Sequence, residues 1–329
     1  MEETMKKKNG IKITVLSILA AVFVAAAFFL FSLGRDSQIY YAHMPTVLAD
    51  APSTVAMTYL QEEGITSIPF FTGPETAKAL MSGHAFVATF AELPFLLASA
   101  ERDDLRVIAV ITSANSMGIL ADSSAGINNP EDLKGKKMGL PIGTSAHYLS
   151  NSYFQKINSS PSIVNLPPPQ LQSALERGDV QAIAIWQPFL ERTRLENPDR
   201  FFYLENSQEE FKVIMLIVST EQNINNHPDK IETVLRGLIQ AEKAIAHKSP
   251  DIMKKIETAT GLDNKTLESI LPFFEFKVKL DREIIETWEM LSEWAYNERM
   301  INEEVMQRNW SSFVYKEGLE KIDPGRVDI

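Results

Sequence analysis

Cysteine is absent from this 329-residue chain. The absence excludes disulfide bonds, thiolate nucleophiles and cysteine metal sites, and it also excludes a lipid anchor on an N-terminal cysteine. It leaves the compartment open, because a chain without thiols suits either redox state. The five histidines form no HxxxH or HExxH pair, so no metal site is predicted.

Catalytic and nucleotide-binding motifs are also missing. The chain contains no GxSxG, no GxxxxGK[ST] and no GxGxxG. Ser145 and His147 are only two positions apart and do not make a catalytic triad. The sequence therefore predicts no enzyme activity, no catalytic residues and no cofactor.

Positive charge is scarce after the first 35 residues. Residues 1–35 contain five Lys or Arg and two Glu and therefore carry a formal charge of +3. Because the whole chain has a formal net charge of −11, the remaining residues carry −14. An acidic body of this kind disfavours nucleic acid and anionic lipid as partners. The length suggests two compact units, and a composition of 45% hydrophobic and 23% charged residues is ordinary for a globular protein.

One long apolar run stands near the N-terminus. Residues 13–34 read ITVLSILAAVFVAAAFFLFSLG, which is long enough to cross a bilayer as a helix. Four lysines precede it, so the N-terminus is expected to stay in the cytoplasm and the body outside. Three interpretations are open: an uncleaved transmembrane anchor, a cleaved signal peptide, and a buried core helix at the N-terminus. The anchor and the signal peptide both export the body.

The body alternates strand-like and helix-like segments. Strands are predicted at 106–112, 137–140, 162–165 and 182–186, of which the first and the last are of a buried type, with helices between them. From residue 229 the pattern is mostly helical. Such alternation with short connections predicts an α/β fold with mainly parallel sheets covered on both faces. Ligands of these sheets bind at strand carboxyl ends and helix N-termini.

Four segments at such ends are candidate ligand contacts. Gly143-Thr144-Ser145 links a strand to a helix, and its amides and hydroxyls suit an anion such as a sulfonate, nitrate or carboxylate. Ser53-Thr54 stands at the start of an earlier helix, Glu92 follows the strand AFVATF, and Trp186 ends the strand AIAIW. Each has an alternative structural interpretation: helix capping for the hydroxyls, a first-turn helix acid for Glu92, and core packing for Trp186.

Three stretches carry a family resemblance. GPETAKALMSGHAFVATFAELPFLLASA (73–100), LKGKKMGLPIGTSAHYLS (133–150) and AIAIWQPF (182–189) occur in this order and at this spacing, and a tail from Leu319 to Ile329 follows. Together they resemble the aliphatic-sulfonate, taurine and nitrate binding proteins of ABC transporters. Relatives of that family bind pyrimidine precursors of thiamine. The resemblance covers about residues 37–329.

The resemblance implies a two-lobed type II periplasmic-binding-protein fold, preceded here by the one N-terminal transmembrane helix. Residues 1–36 would be a cytoplasmic basic stub and signal anchor. Residues 37–115 with 214–329 would form lobe one, and residues 116–213 lobe two. The candidate ligand-binding residues, from the resemblance and the anion loop together, are Ser53, Thr54, Gly73, Glu92, Gly143, Thr144, Ser145, His147, Tyr148 and Trp186.

Two departures from the family pattern stand out. Gln187 occupies a position where these relatives often have an acid, and Arg35 stands where a lipid-anchored member would have cysteine. The expected function is capture of a small, anionic solute outside the cytoplasm by a monomer that delivers it to an ABC permease. The alternatives are a membrane-anchored ligand sensor or adaptor, and a binder of thiamine precursors or a related enzyme.

Overall fold

Twelve β-strands form two sheets in residues 38–329, the part of the chain that the computed structural model describes. In chain order they are β1 Ile39–His43, β2 Ile65–Pro69, β3 Val87–Ala91, β4 Leu105–Ala114, β5 Met117–Asp122, β6 Lys137–Leu140, β7 Ser162–Asn165, β8 Ala182–Trp186, β9 Phe201–Tyr203, β10 Val213–Thr220, β11 Phe274–Asp281 and β12 Val327–Asp328. The first sheet has the order β12-β11-β4-β10-β3-β1-β2, and the second has the order β7-β6-β8-β5-β9.

Helices cover both sheets. The α-helices of the described residues are α1 Ala51–Leu60, α2 Gly73–Met81, α3 Glu92–Glu101, α4 Ser145–Lys156, α5 Pro168–Glu176, α6 Phe189–Glu196, α7 Glu221–Asn226, α8 Pro228–Ala246, α9 Pro250–Thr260, α10 Asn264–Ile270, α11 Glu283–Asn297, α12 Glu303–Met306 and α13 Glu317–Ile322. Short 3₁₀ helices lie at Leu48–Asp50, Ser123–Ala125, Pro130–Leu133, Leu271–Phe273, Trp310–Phe313 and Pro324–Arg326.

The chain crosses between the sheets at two neighbouring places. β4 ends at Ala114 in the first sheet, and β5 begins at Met117 in the second. The return strand β10 begins at Val213, which pairs with Ala114. We call the seven-stranded sheet with α1–α3 and α7–α13 the first lobe, and the five-stranded sheet with α4–α6 the second lobe.

The sheets are mixed, so the prediction of mainly parallel sheets is wrong. β1 pairs with β3 in parallel, and β6 pairs with β7 and β8 in parallel. By contrast, β10 runs antiparallel to both β3 and β4, and β5 runs antiparallel to β8 and β9. The alternation rule assumes that a helix returns the chain to the same sheet. It fails here because β4, β5 and β10 carry the chain from one sheet to the other.

Strand β11 was missed in a region predicted to be mostly helical. Its sequence FEFKVKLD alternates apolar and charged residues, and Phe274, Val278 and Leu280 are buried. That period of two is the signal of a half-buried strand, and it was present in the sequence. The predicted strands Lys137–Leu140, Ser162–Asn165 and Ala182–Trp186, in contrast, are confirmed with the same bounds.

A buried tryptophan fixes α3 against α11. The side chain of Trp288 is fully buried and stacks on Phe95 with ring centroids 4.5 Å apart. Its indole Nε1 donates a hydrogen bond to the carbonyl oxygen of Glu92, at 3.2 Å. The N-terminus of α3 is therefore held in one position at the edge of the first lobe.

The predicted transmembrane segment, residues 13–34, lies outside the described residues. Within residues 38–329, no helix combines the length and the hydropathy that a bilayer crossing needs.

Candidate functional site

A small cavity lies where the two lobes meet. Its volume is about 40 Å³. Its apolar wall consists mainly of Met44, Val47, Ala49, Pro94, Met117, Val213 and Met215. Its polar members are Ser116, Thr144, Ser145 and Trp186. An apolar wall with a few polar groups is the usual composition of a small-molecule site.

Two donors at this cavity lack protein partners. The indole Nε1 of Trp186 and the hydroxyl of Ser116 are buried and make no hydrogen bond to any described residue. Buried polar atoms are nearly always paired, so unpaired donors beside a cavity indicate where a ligand can bind. Ser116 was missed by sequence reasoning because its position depends on the crossing from β4 to β5, which has no local motif.

The N-terminus of α4 reaches the same cavity through Thr144 and Ser145. The Thr144 hydroxyl donates to the carbonyl oxygen of Pro141 at 2.7 Å, and the Ser145 hydroxyl donates to the carboxyl of Glu92. Thr144 occupies the cap position, but its side chain makes no cap hydrogen bond. The hydroxyl protons of Thr144 and Ser145 are therefore both bound to protein acceptors. An anion at this helix would be stabilised by the positive end of the helix dipole and not by these two hydroxyls.

Two glycines allow the chain to pack closely at this point. Gly73 lines the cavity, and a Cβ there would lie 3.0 Å from Cγ of Pro94 and 3.1 Å from Cβ of Phe90. Gly143 has φ of +78°, a conformation that favours glycine, and it turns the chain from β6 into α4 without itself lining the cavity.

Glu92 lies behind the cavity and not in it. It is the first residue of α3 and has no exposed surface. One carboxylate oxygen accepts from the Ser145 hydroxyl, and the other accepts from the backbone N–H of Ile214 at 2.7 Å. Burial raises the pKa of Glu92 to about 7, although both hydrogen bonds act in the opposite direction. The carboxyl joins the two lobes, and its role as a ligand contact stays a prediction.

Ser53 and Thr54 lie in the interior of the first lobe. The hydroxyl of Ser53 lies 2.7 Å from that of Tyr41 and 3.0 Å from that of Thr89. The alternative interpretation as a helix cap is wrong, because α1 begins at Ala51 and its cap position is Asp50. Neither residue lines the cavity.

His147 and Tyr148 pack between the lobes, away from the cavity. Both rings contact Trp294 of α11, with centroids 5.6 Å and 5.1 Å apart. The Tyr148 ring also contacts Phe211 at 4.8 Å. Burial lowers the pKa of His147, and the carboxylate of Glu298 partly opposes this. The structure therefore places Gly73, Thr144, Ser145 and Trp186 at the cavity and the other six candidates elsewhere.

Gln187 is turned away from the cavity. Its amide nitrogen donates to the Tyr203 hydroxyl at 3.3 Å, and its amide oxygen accepts from the backbone N–H of Glu191 at 3.1 Å. Gln187, which stands where the relatives often have an acid, thus accepts a hydrogen bond from the first turn of α6.

A second cavity, of about 270 Å³, lies close to the first. Thr46 and Phe71 line it from the first lobe, and Phe189 and Arg192 line it from the second. Trp186 lines the first cavity and Phe189 lines the second, and their ring centroids lie 6.4 Å apart. Arg192 has no ion-pair partner among residues 38–329, and the buried Thr46 hydroxyl has no hydrogen-bond partner there.

Comparison with known proteins agrees with this architecture. The family model described as NMT1/THI5 like matches residues 53–251. The taurine-binding periplasmic protein of Escherichia coli (strain K12) is 24% identical over 226 residues, which are 64% of this chain and 70% of that protein. A putative aliphatic sulfonates-binding protein of Bacillus subtilis (strain 168) is 24% identical over 220 residues, 64% of this chain and 65% of its own.

A solved structure extends the likeness over the described residues. The alkanesulfonate-binding protein SsuA of Xanthomonas axonopodis pv. citri, bound to MOPS, superposes with a TM-score of 0.74 at 21% identity. The superposition covers 85% of this chain and 98% of that protein. At this identity the likeness shows a shared fold, the two-lobed α/β fold of periplasmic binding proteins. Because the family model matches more than half of the sequence, the chain belongs to the NMT1/THI5-like family.

Proposed function

We propose that this chain is an extracytoplasmic solute-binding protein that holds a small anionic ligand of the sulfonate type between its lobes. The observation that carries the proposal is the cavity with the unpaired donors of Trp186 and Ser116 beside the N-terminus of α4. Donors and a helix N-terminus favour an anion, while the apolar wall favours an organic one. One named relative is a taurine-binding periplasmic protein, and the other is a putative aliphatic sulfonates-binding protein.

The ligand's size requires the lobes to move. A cavity of about 40 Å³ holds a few water molecules at most, which is less than a sulfonate occupies. We propose that the two crossings, between Ala114 and Met117 and just before Val213, form the hinge that opens the cleft, and that ligand contacts to both lobes favour closure. The second cavity, with the unpaired Arg192, has room for the remainder of a larger ligand.

The rest of the proposal follows from this role. The closed, ligand-loaded form would be recognised by an ABC permease, and the protein would act as a monomer without catalysis. The predicted segment 13–34 would hold it at the outer face of the membrane or direct its export.

Ligand binding is tested by thermal unfolding of the full chain in Tris buffer free of sulfonates. We expect methanesulfonate, ethanesulfonate or taurine at 100 times its Kd to stabilise the protein by about 2.7 kcal/mol, a shift of a few degrees in Tm. Dimethyl sulfone, neutral and similar in shape to methanesulfonate, is the matched control. An equal shift with the sulfone, or none with any of the anions, would contradict the proposal.

Closure is tested with spin labels, which the absence of natural cysteine makes straightforward. Lys78→Cys on α2 and Gln170→Cys on α5 place exposed labels on opposite lobes. We expect saturating ligand to convert a broad distribution of distances into a shorter, narrower one. Lys78→Cys with Glu101→Cys, both in the first lobe, should not respond. Unchanged distances across the lobes would argue against a hinge.

A further inference from the structure

One hydrogen bond joins the lobes directly behind the cavity. Glu92 begins α3 in the first lobe, Ser145 begins α4 in the second, and the Ser145 hydroxyl donates to the Glu92 carboxyl. Ser145 lines the cavity, whereas Glu92 does not and is fully buried. Ser145 therefore stands between the buried carboxyl and the space where a ligand would bind.

The Ser145 hydroxyl cannot donate a hydrogen bond into the cavity while it donates to Glu92. A serine hydroxyl has one proton and two lone pairs, and the proton of Ser145 is committed to Glu92. Ser145 thus presents only lone pairs to the cavity. The second oxygen of Glu92 accepts from the N–H of Ile214 at 2.7 Å, so the carboxyl is an acceptor on both sides. An anion entering the cavity would meet an acceptor with a carboxylate behind it.

Among the described residues, no cationic side chain offsets that carboxylate. β3 and β10, which pack beside Glu92, have no ionisable residue. The ionisable side chains on the helices packed against α3, and on α3 itself, are Glu75, Lys78, Glu101, His147, Tyr148, Tyr153, Lys156, Glu283, Glu286, Glu289, Glu293 and Tyr296. Within the described chain none of them hydrogen-bonds to Glu92 or shifts its pKa, which burial alone raises, to about 7. Adding a proton near neutral pH therefore costs little free energy.

We propose that the cleft takes up its anion together with one proton, which binds to Glu92 and lets the Ser145 hydroxyl turn from Glu92 to the ligand. Neutral Glu92 then donates to the Ser145 oxygen, and Ser145 donates its own proton to the anion. The N–H of Ile214 keeps its acceptor throughout. This inference rests on the proposed function and specifies its ligand as a simple anion whose charge the protein neutralises. A ligand with its own ammonium group, such as taurine, would satisfy Ser145 without a proton.

The test is calorimetry of methanesulfonate binding to the full chain, because this probe stays ionised at every pH used. Titrations at pH 8.5 in Tris and in triethanolamine, whose heats of ionisation differ, count the protons taken up. We expect an uptake close to one proton, and a Kd that rises about tenfold per pH unit above pH 8. Glu92→Gln, which mimics the neutral acid, should remove the uptake and bind at least about tenfold more tightly than wild type at pH 8.5.

Glu101→Gln, an exposed change on the same helix, should keep the proton uptake and serves as the matched control. Binding of methanesulfonate without proton uptake would overturn the inference and leave the proposed function standing. If no anion binds at all, the proposed function fails. In that case the side-chain carboxyl of Glu92 is titrated by carbon-13 NMR, assigned with Glu92→Gln, and a midpoint below pH 5 in the free protein would overturn the inference separately.

Discussion

Replacing Trp186 by alanine is expected to weaken methanesulfonate binding by about 30- to 150-fold, a loss of about 2–3 kcal/mol. Trp186 is 8% exposed and lines the cavity, and its indole N–H is one of the two unpaired side-chain donors among the described residues there. Alanine removes both the indole ring that lines the cavity and its N–H donor. Trp186→Phe keeps most of the wall and loses only the donor, so a loss of about 1 kcal/mol, about fivefold, is expected. Calorimetry at pH 6 measures both.

Trp310 provides the matched control for this prediction. It is also a buried tryptophan whose indole N–H lacks a partner among the described residues, but it packs against Trp288 and Phe313 outside the cavity. Trp310→Phe should leave the Kd unchanged within about twofold. If Trp310→Phe reduces affinity as much as Trp186→Phe does, or if Trp186→Ala binds normally, the cavity is not the ligand site.

The folded chain is expected to be more stable at pH 5.5 than at pH 8, by about 2–3 kcal/mol. Burial raises the pKa values of Asp50 and Glu92 to about 7. A carboxyl with a higher pKa in the folded state binds more protons there than in the unfolded chain. Its contribution to stability is therefore fully present below the unfolded pKa and is lost as pH rises through about 7.

His43 acts in the opposite direction in the same range. Burial lowers its pKa to about 4, so below about pH 6.5 the unfolded chain takes up a proton that the folded chain does not. This cost of about 1.4 kcal/mol at pH 5.5 is smaller than the combined gain of about 4 kcal/mol from the two carboxyls. A net gain on acidification to pH 5.5 remains.

Urea unfolding of the full chain at the two pH values measures this difference. The double variant Asp50→Asn and Glu92→Gln should remove the gain and leave the smaller, opposite effect of His43. Glu62→Gln, at an exposed position, is the control and should follow wild type. Equal stability of the wild-type chain at pH 5.5 and pH 8 would show that these carboxyls are not held in an unfavourable, buried state.

Local patterns were sufficient for most individual elements. The apolar run Ala182–Trp186 was recognised as a strand because a continuous buried stretch of this length is typical of sheet interiors. The missed strand Phe274–Asp281 carried an equally clear alternation. The helical pattern of the preceding residues does not continue into this segment, because its own period of two favours a strand.

The sequence was less informative about which side of an element faces the cleft. Ser145 and Glu92 are both predicted as ligand contacts because each follows the end of a strand, but one lines the cavity while the other is buried behind it. His147 and Tyr148 follow Ser145 along the same helix and meet Trp294 instead of the cavity. These differences depend on the angle between two lobes, which no local pattern encodes.

The sequence by itself determined the absence of thiol chemistry, the α/β class, the family resemblance and the glycine-hydroxyl loop that begins α4, because composition and short-range periodicity are properties of neighbouring residues. Only the tertiary structure decided that the sheets are mixed, that Ser116 joins the cavity, and that the Ser145 hydroxyl is bound to Glu92. Each of these depends on residues tens of positions apart being brought together by the two crossings between the lobes, and packing alone sets that arrangement.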